Sequence, residues 1–187
     1  LAGAAVSILS LVLYISTLAP TLTWGWDGKA VDGGELLAAA NTLGVPHPPG
    51  YPTYMLMLKG FISIIPIGDI AYRGNLFSAF MASGTIATVY WATFNFCRYF
   101  RPETALALSI SSATLGSAVL ATSPLFWSQS TVTEVYTLNA FFAGTLIAIA
   151  SQAILTSQAP VKPKTTLWLC ILGLLTGIGL GNHLTLL

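Results

Sequence analysis

Apolar residues in this chain fall into long, nearly uninterrupted runs, and polar positions gather in the short stretches between them. A membrane span needs about 20 apolar residues at a rise of about 1.5 Å each. About five segments reach that length, at roughly 1–24, 76–99, 104–127, 135–156 and 166–187. Lipid offers no partners for backbone N–H and C=O groups, so the runs are predicted to be helices. Trp24, Trp26, Trp127 and Trp168 lie near the predicted ends, where interfacial tryptophans collect. Small residues recur in the third run (Ser109, Ser112, Gly116) and in the fifth (Gly173, Gly177, Gly181), a pattern that favours close helix packing.

The segment 51–65 breaks this pattern. Its roughly 14 apolar residues make a helix of about 21 Å, short of a ~30 Å hydrocarbon core. Lys59 interrupts it, and Pro52 suits a first helical turn. The prediction is an amphipathic, interfacial or re-entrant helix within a first loop at about 25–75. With the N-terminus cytoplasmic, Arg98, Arg101, Lys162 and Lys164 fall inside, and Lys29, Lys59 and Arg73 fall outside. Charge counting alone prefers the inverse model, in which Arg73 alone among the basic loop residues stays outside. Helix length prefers the first model, which also sets Asp32, Glu35, His47, Glu134 and His183 at one membrane face. The expected fold is thus an all-α polytopic membrane protein, a single membrane domain over 1–187, with its first loop extracytoplasmic.

Composition agrees with that class. Hydrophobic residues make up 55% and charged residues 7%, and mean hydropathy is +0.77, which argues against a soluble domain. A net charge of +1 without any basic run gives no footprint for nucleic acid. Leu1–Trp26 carries no charge and no basic leader, so a first membrane helix is expected rather than a cleaved signal peptide. The sequence starts without Met and stops inside an apolar run, as a piece of a longer chain would. Cys97 and Cys170 have no metal-ligand spacing and are expected to be buried free thiols.

Carboxylates are rare here, which makes Asp32-Gly-Gly-Glu35 conspicuous. Acidic groups beside a membrane-embedded bundle are functional candidates. One reading is a capping box, with Asp32 accepting from first-turn N–H groups, Glu35 reaching back and Gly44 ending the helix. The other makes a loop carboxylate a general base, its pKa raised by desolvation. The two glycines would let a substrate approach the backbone. His47-Pro-Pro-Gly-Tyr-Pro52 is a stiff elbow, with Pro49-Gly50 suited to a type II turn. His47 and Tyr51 are candidates for a substrate wall. Arg73 either snorkels to headgroups or binds a lipid phosphate. Glu134 and Tyr136 close an unusually polar stretch after Trp127, where Glu134 either caps the next helix or joins the site. Asn139 lies one turn deeper, and Asn182-His183 lies near the far end of the last run. No Walker loop, dinucleotide fingerprint, H-E-x-x-H or serine elbow occurs, and no metal ligand set is expected.

Taken in order, these segments resemble the N-terminal part of GT-C membrane glycosyltransferases and are most similar to the protein O-mannosyltransferase-like family. The resemblance rests on Asp32-Gly-Gly-Glu35, Leu43–Pro52, Tyr72–Ala79, Phe126-Trp-Ser-Gln129, Glu134–Asn139 and Gly179–Leu184. It implies a GT-C-like fold, a polyprenyl-phosphate sugar donor, and an acceptor hydroxyl on protein or glycan. It also implies an inverting single displacement on the extracytoplasmic face, in a bacterial cytoplasmic membrane. Asp32 corresponds to the family's first-loop aspartate, the base, with Glu35 beside it. His47, Tyr51, Arg73, Glu134, Tyr136, Asn139, Asn182 and His183 are the substrate-binding candidates. Beyond the lipid-linked donor no cofactor is implied, and a divalent metal requirement is left open. Gly33 stands where relatives often carry a small hydroxyl residue. Such enzymes have more spans and further extramembrane structure, so a non-catalytic accessory subunit of a larger membrane complex is the competing expectation. A transporter is disfavoured, because no run has the broken, charge-paired look of substrate sites.

Overall fold

The computed structural model describes residues 1–24, 28, 31–157 and 165–186. Its helices are α1 (Ala2–Ser16), α2 (Gly33–Thr42), α3 (Pro52–Ile64), α4 (Ile70–Phe100), α5 (Leu106–Ala121), α6 (Pro124–Ser130), α7 (Tyr136–Ser157) and α8 (Thr165–Leu180). A 3-10 turn follows at Leu184–Leu186, and no strand occurs among the described residues. The expectations for Trp26, Lys29, Lys162 and Lys164 lie outside the described residues.

The long helix α4 organises the bundle. Its 31 residues make a rod of about 46 Å, started by Asp69, whose carboxylate accepts from the Tyr72 N–H at 2.7 Å. α7, α5 and α1 pack along it. α1 turns Val6, Ser10 and Tyr14 inward, a spacing that lines one helical face. Ser7 and Ser83 exchange hydroxyl-to-carbonyl bonds of 2.8 Å in both directions, which ties α1 to α4 at close range. The Tyr14 hydroxyl donates to the Ala121 carbonyl at 2.9 Å, satisfying the end of α5.

Close packing falls elsewhere than the small-residue runs suggested. Gly116, Gly173 and Gly177 face open space. The tight approaches are Gly3 on Tyr90, Gly84 on Phe141 and Gly144 on Thr88, which bring α1 and α7 onto α4. Of the expected set Ser109 is buried and Gly181 is covered by Thr53. Both cysteines are free, but neither is buried: Cys97 is partly exposed and Cys170 exposed.

The apolar runs map onto helices with altered bounds. Tyr136–Thr156 of α7 is the one helix among the described residues long and apolar enough to cross a membrane by itself. α5 and α6 qualify together as a broken span, bent by 67°. The break has a local cause, since Pro124 cannot donate a backbone bond, while the Ser123 hydroxyl donates back to the Leu120 carbonyl. The first run is helical only to Ser16, and the last ends at Leu180; both helices are apolar but short. α4 is long enough, but Ser78, Ser83, Gly84, Thr85, Thr88 and Thr93 dilute the apolar character of its middle. The segment expected as a short loop helix is α3, with Tyr54, Met55, Leu58 and Ile62 buried. Lys59 donates to the Asn41 carbonyl at 2.6 Å, so the charge that interrupts this run ties α3 to the end of α2.

Candidate active site

The site lies at the end of the bundle where α4 and α7 begin. Asn75, buried in the second turn of α4, fastens three segments there. Its amide donates to the Ala19 and Thr21 carbonyls at 2.9 and 3.1 Å, and its oxygen accepts from the Thr133 hydroxyl at 2.8 Å. Gly33 then brings α2 onto the same strand of chain, because the Thr133 carbonyl lies 3.1 Å from where a Cβ would stand. The glycine serves this backbone contact.

The capping box does not form. Asp32 precedes α2 but makes no side-chain cap bond, and Glu35 turns away to His47. One Glu35 oxygen accepts from the His47 backbone N–H at 2.6 Å, and the other meets the ring Nδ1 at 2.9 Å. The helix ends with Leu43, not Gly44, in the left-handed conformation (φ 56°). The elbow also closes one residue earlier than expected. The Gly50 N–H donates to the His47 carbonyl at 3.0 Å, across a cis Pro48–Pro49 peptide.

With its ring held by Glu35, His47 presents Nε2 to the Tyr51 hydroxyl at 3.2 Å and to an Asp32 oxygen at 3.9 Å. Tyr51 sits at φ 45°, a region that costs a non-glycine residue free energy. Its ring stacks on His183 with centroids 6.0 Å apart, and Tyr136 tilts against the same imidazole at 6.0 Å. His183 is steadied by Thr185, which also accepts from Asn139. Asn182 donates to the Val135 carbonyl at 3.3 Å. The structure therefore gathers Asp32, Glu35, His47, Tyr51, Tyr136, Asn139, Asn182 and His183 around one end of the bundle, and Glu134 lies beneath them.

Arg73 is the candidate it does not bring in. Its guanidinium donates to the Ile62 carbonyl, which the last turn of α3 leaves unpaired, and to the Ile67 and Gly68 carbonyls in the connection to α4. It lines a separate cavity of about 560 Å³ with Thr21, Leu37 and Asn41. Asn75, Thr133 and Thr185 are site-building residues that sequence reading did not single out. A buried amide at the mouth of an apolar helix was the available signal for Asn75.

Electrostatics separates the three carboxylates. Hydrogen bonds from the His47 ring and backbone hold the Glu35 carboxyl below its ordinary range. The same partnership raises the His47 imidazole, with Asp32 adding to it. Glu134 is only 2% exposed, and burial, reinforced by the Asp32 charge, pushes its carboxyl up to about 7. Asp32, at 45% side-chain exposure, keeps an open face toward solvent. Asp32, Glu35 and His47 offer ligand atoms within 4.8 Å of one another, enough to hold a cation. Both Glu35 oxygens are already engaged by His47.

Glu134 gives a pH signature. Its folded pKa lies above the ordinary 4.5, so the folded state binds the extra proton. The stability this contributes is complete below about 4.5 and is lost as pH rises through about 7. Between those limits the wild-type unfolding midpoint should fall by roughly 5 °C relative to Glu134→Gln, which has no such proton. Parallel midpoints for the two proteins across that window would contradict the assignment.

Comparison with known proteins shows the family. A family model described as the protein O-mannosyl-transferase TMEM260 N-terminal domain matches residues 32–187, beginning at the candidate base. The mouse protein O-mannosyl-transferase TMEM260 is 35% identical over 129 residues, which cover 69% of this chain and 17% of the mouse protein. The Dictyostelium discoideum protein of the same name is 27% identical over 145 residues, covering 73% of this chain and 15% of that protein. The chain thus spans about a sixth of the length of these relatives. No solved structure matches it. By the extent of the family match, this chain belongs to the protein O-mannosyl-transferase TMEM260 N-terminal domain family.

Proposed function

We propose that the chain is the N-terminal part of a membrane glycosyltransferase that moves a mannosyl group from a polyprenyl-phosphate carrier to a protein hydroxyl. The observation that carries this reading is the open Asp32 carboxylate facing His47 Nε2, with Glu35 holding His47 through its ring Nδ1 and its backbone N–H. In a single displacement, Asp32 takes the hydroxyl proton as the acceptor oxygen attacks the anomeric carbon. The bond from that carbon to the carrier phosphate breaks, and the anomeric configuration inverts. Positioned proton removal of this kind is commonly worth about 10²–10⁴ in rate. His47, biased toward its charged form by Glu35, lies 3.9 Å from Asp32 and orients that carboxylate for the attack. The aromatic rings of Tyr51 and Tyr136 give the sugar a wall.

The names of the relatives speak for a transferase rather than for a non-catalytic accessory subunit. Five spans and an extracytoplasmic site belong to the same proposal, since α4 carries the site at one end and Arg98 at the other. The matched relatives come from mouse and Dictyostelium, which leaves the expectation of a bacterial membrane without support.

The test uses the full-length protein in proteoliposomes with a serine-containing peptide. It is offered either polyprenyl-phosphate mannose or the nucleotide-activated sugar. Mannosyl peptide should form from the lipid donor alone. Equal transfer from the nucleotide sugar would overturn the carrier, and no transfer from either would overturn the transferase.

A further inference from the structure

The 3-10 turn after α8 fixes where the His183 imidazole carries its proton. Its Nδ1 accepts from the Thr185 backbone N–H at 3.2 Å, and a backbone N–H can only donate. The Thr185 hydroxyl lies 2.8 Å from the same nitrogen. That hydroxyl already accepts from the Asn139 amide at 3.1 Å, so its own proton goes to Nδ1. The bond made at one ring nitrogen decides which nitrogen is protonated, and here Nδ1 is filled as an acceptor. Nε2 therefore holds the proton. It has no partner among the described residues, and in this half-buried side chain it is not one of the enclosed unpaired atoms. An open N–H donor is thus built into the candidate site, oriented from Asn139 through Thr185.

The surroundings of that donor say what it can meet. His183 stacks on Tyr51 with ring planes 21° apart, and Tyr136 tilts against it at 47°. Tyr51 is 8% exposed and Tyr136 50%, so the first is a floor and the second an open rim. Aromatic faces are electron-rich, and Tyr51 leads through His47 to the carboxylates of Asp32 and Glu35. Such surroundings disfavour a phosphate at Nε2. A hydrocarbon chain would leave the N–H without an acceptor, at the cost of a lost hydrogen bond. A sugar meets both conditions, with C–H bonds against the rings and a hydroxyl oxygen for the donor. We infer that His183 is the sugar-recognition residue, its Nε2–H donating to one hydroxyl of the hexose that the lipid carrier presents. The inference rests on the transferase reading and deepens it, by naming the group that reads the sugar.

The test uses the full-length protein in proteoliposomes with the serine-containing peptide. The donors are polyprenyl-phosphate mannose and a set of analogues, each lacking a different sugar hydroxyl. Wild type should lose roughly tenfold in kcat/KM with one analogue, the scale of one hydrogen bond. His183→Ala should show a similar loss with intact mannose and lose nothing further with that analogue, because both changes remove the same contact. His183→Gln, whose amide N–H stands near the place of Nε2, should recover most of the activity. A merely structural imidazole would give losses that add with every donor, and that result would overturn the inference. Binding supplies a readout free of turnover. His183→Ala should weaken polyprenyl-phosphate mannose roughly tenfold and leave the bare polyprenyl phosphate within about twofold. Equal weakening of both would move the contact to the phosphate and overturn the sugar assignment. Absence of transfer with the binding difference intact would overturn the transferase alone. Nitrogen NMR of the labelled imidazole should find the proton on Nε2, and a proton on Nδ1 would remove the donor on which the contact stands.

Discussion

Asp32→Asn in the full-length protein should lower mannosyl transfer by at least about a hundredfold, the low end of what general-base assistance contributes. The substitution keeps the shape of the side chain and removes its ability to take a proton. Structural side effects should be small, because Asp32 makes no cap bond to α2 and its side chain is nearly half exposed. Donor binding and the unfolding midpoint should therefore stay near wild type while turnover collapses. Glu35→Gln serves as a contrast. It weakens the grip on His47 without removing the open carboxylate, so its loss in turnover should be smaller. If purified Asp32→Asn transfers mannose at a near wild-type rate, the base is elsewhere. Glu134 is then the first alternative, since burial holds its carboxyl up to about 7, near the working pH that suits a base.

Gly74→Ala should be the most damaging small substitution in the scaffold. A Cβ at this position would stand 2.5 Å from Leu37 Cδ2 and 2.6 Å from Thr133 Oγ1, too close for either to remain in place. Leu37 belongs to the buried cluster beneath α2, and the Thr133 hydroxyl is the donor that Asn75 accepts. Overpacking of this kind costs about 1–3 kcal/mol, so the unfolding midpoint should fall by roughly 5 °C. Transfer should fall as well, because the same displacement moves the chain beside Gly33 and Asp32. Gly60→Ala in α3 is the control. Nothing lies within 4 Å of its added methyl, and alanine is the better helix former by about 0.8–1.0 kcal/mol. Equal midpoints for Gly74→Ala and Gly60→Ala would refute the claim that α2 is seated by that glycine.

Much of this architecture was legible in the residues, and the failures have physical reasons. Length and apolar continuity located α4, α5, α7 and α8, but α4 begins six residues before its expected run, α8 stops seven residues short, and at Pro124 one run became two helices. Rarity of charge pointed to Asp32, Glu35 and Glu134. It could not separate their roles, because burial decides those and burial depends on how α2 meets the 131–135 segment. The capping box was locally reasonable, but a charge-assisted pair with His47 is stronger than a cap bond to a neutral N–H, and Glu35 took it. Arg73 had two partners on offer in the sequence and found a third, the carbonyls of Ile62 in α3 and Gly68 in the connection to α4. Small-residue spacing failed as a guide to packing, because spacing records which residues share a face and not what that face meets.

The site draws on two distant parts of the chain, with Asp32 to Tyr51 on one side and Glu134 to His183 on the other. Ribosomes deliver those parts in sequence, and roughly 150 residues separate Asp32 from His183. At about 5–20 residues per second, the first half waits on the order of ten seconds for the second. Throughout that interval Tyr51 has no His183 to stack on, and the backbone N–H of Asp32 has no Glu134 to receive it. The nascent loop must be sheltered until α7 and α8 arrive, and the order of helix delivery becomes part of how this site is made.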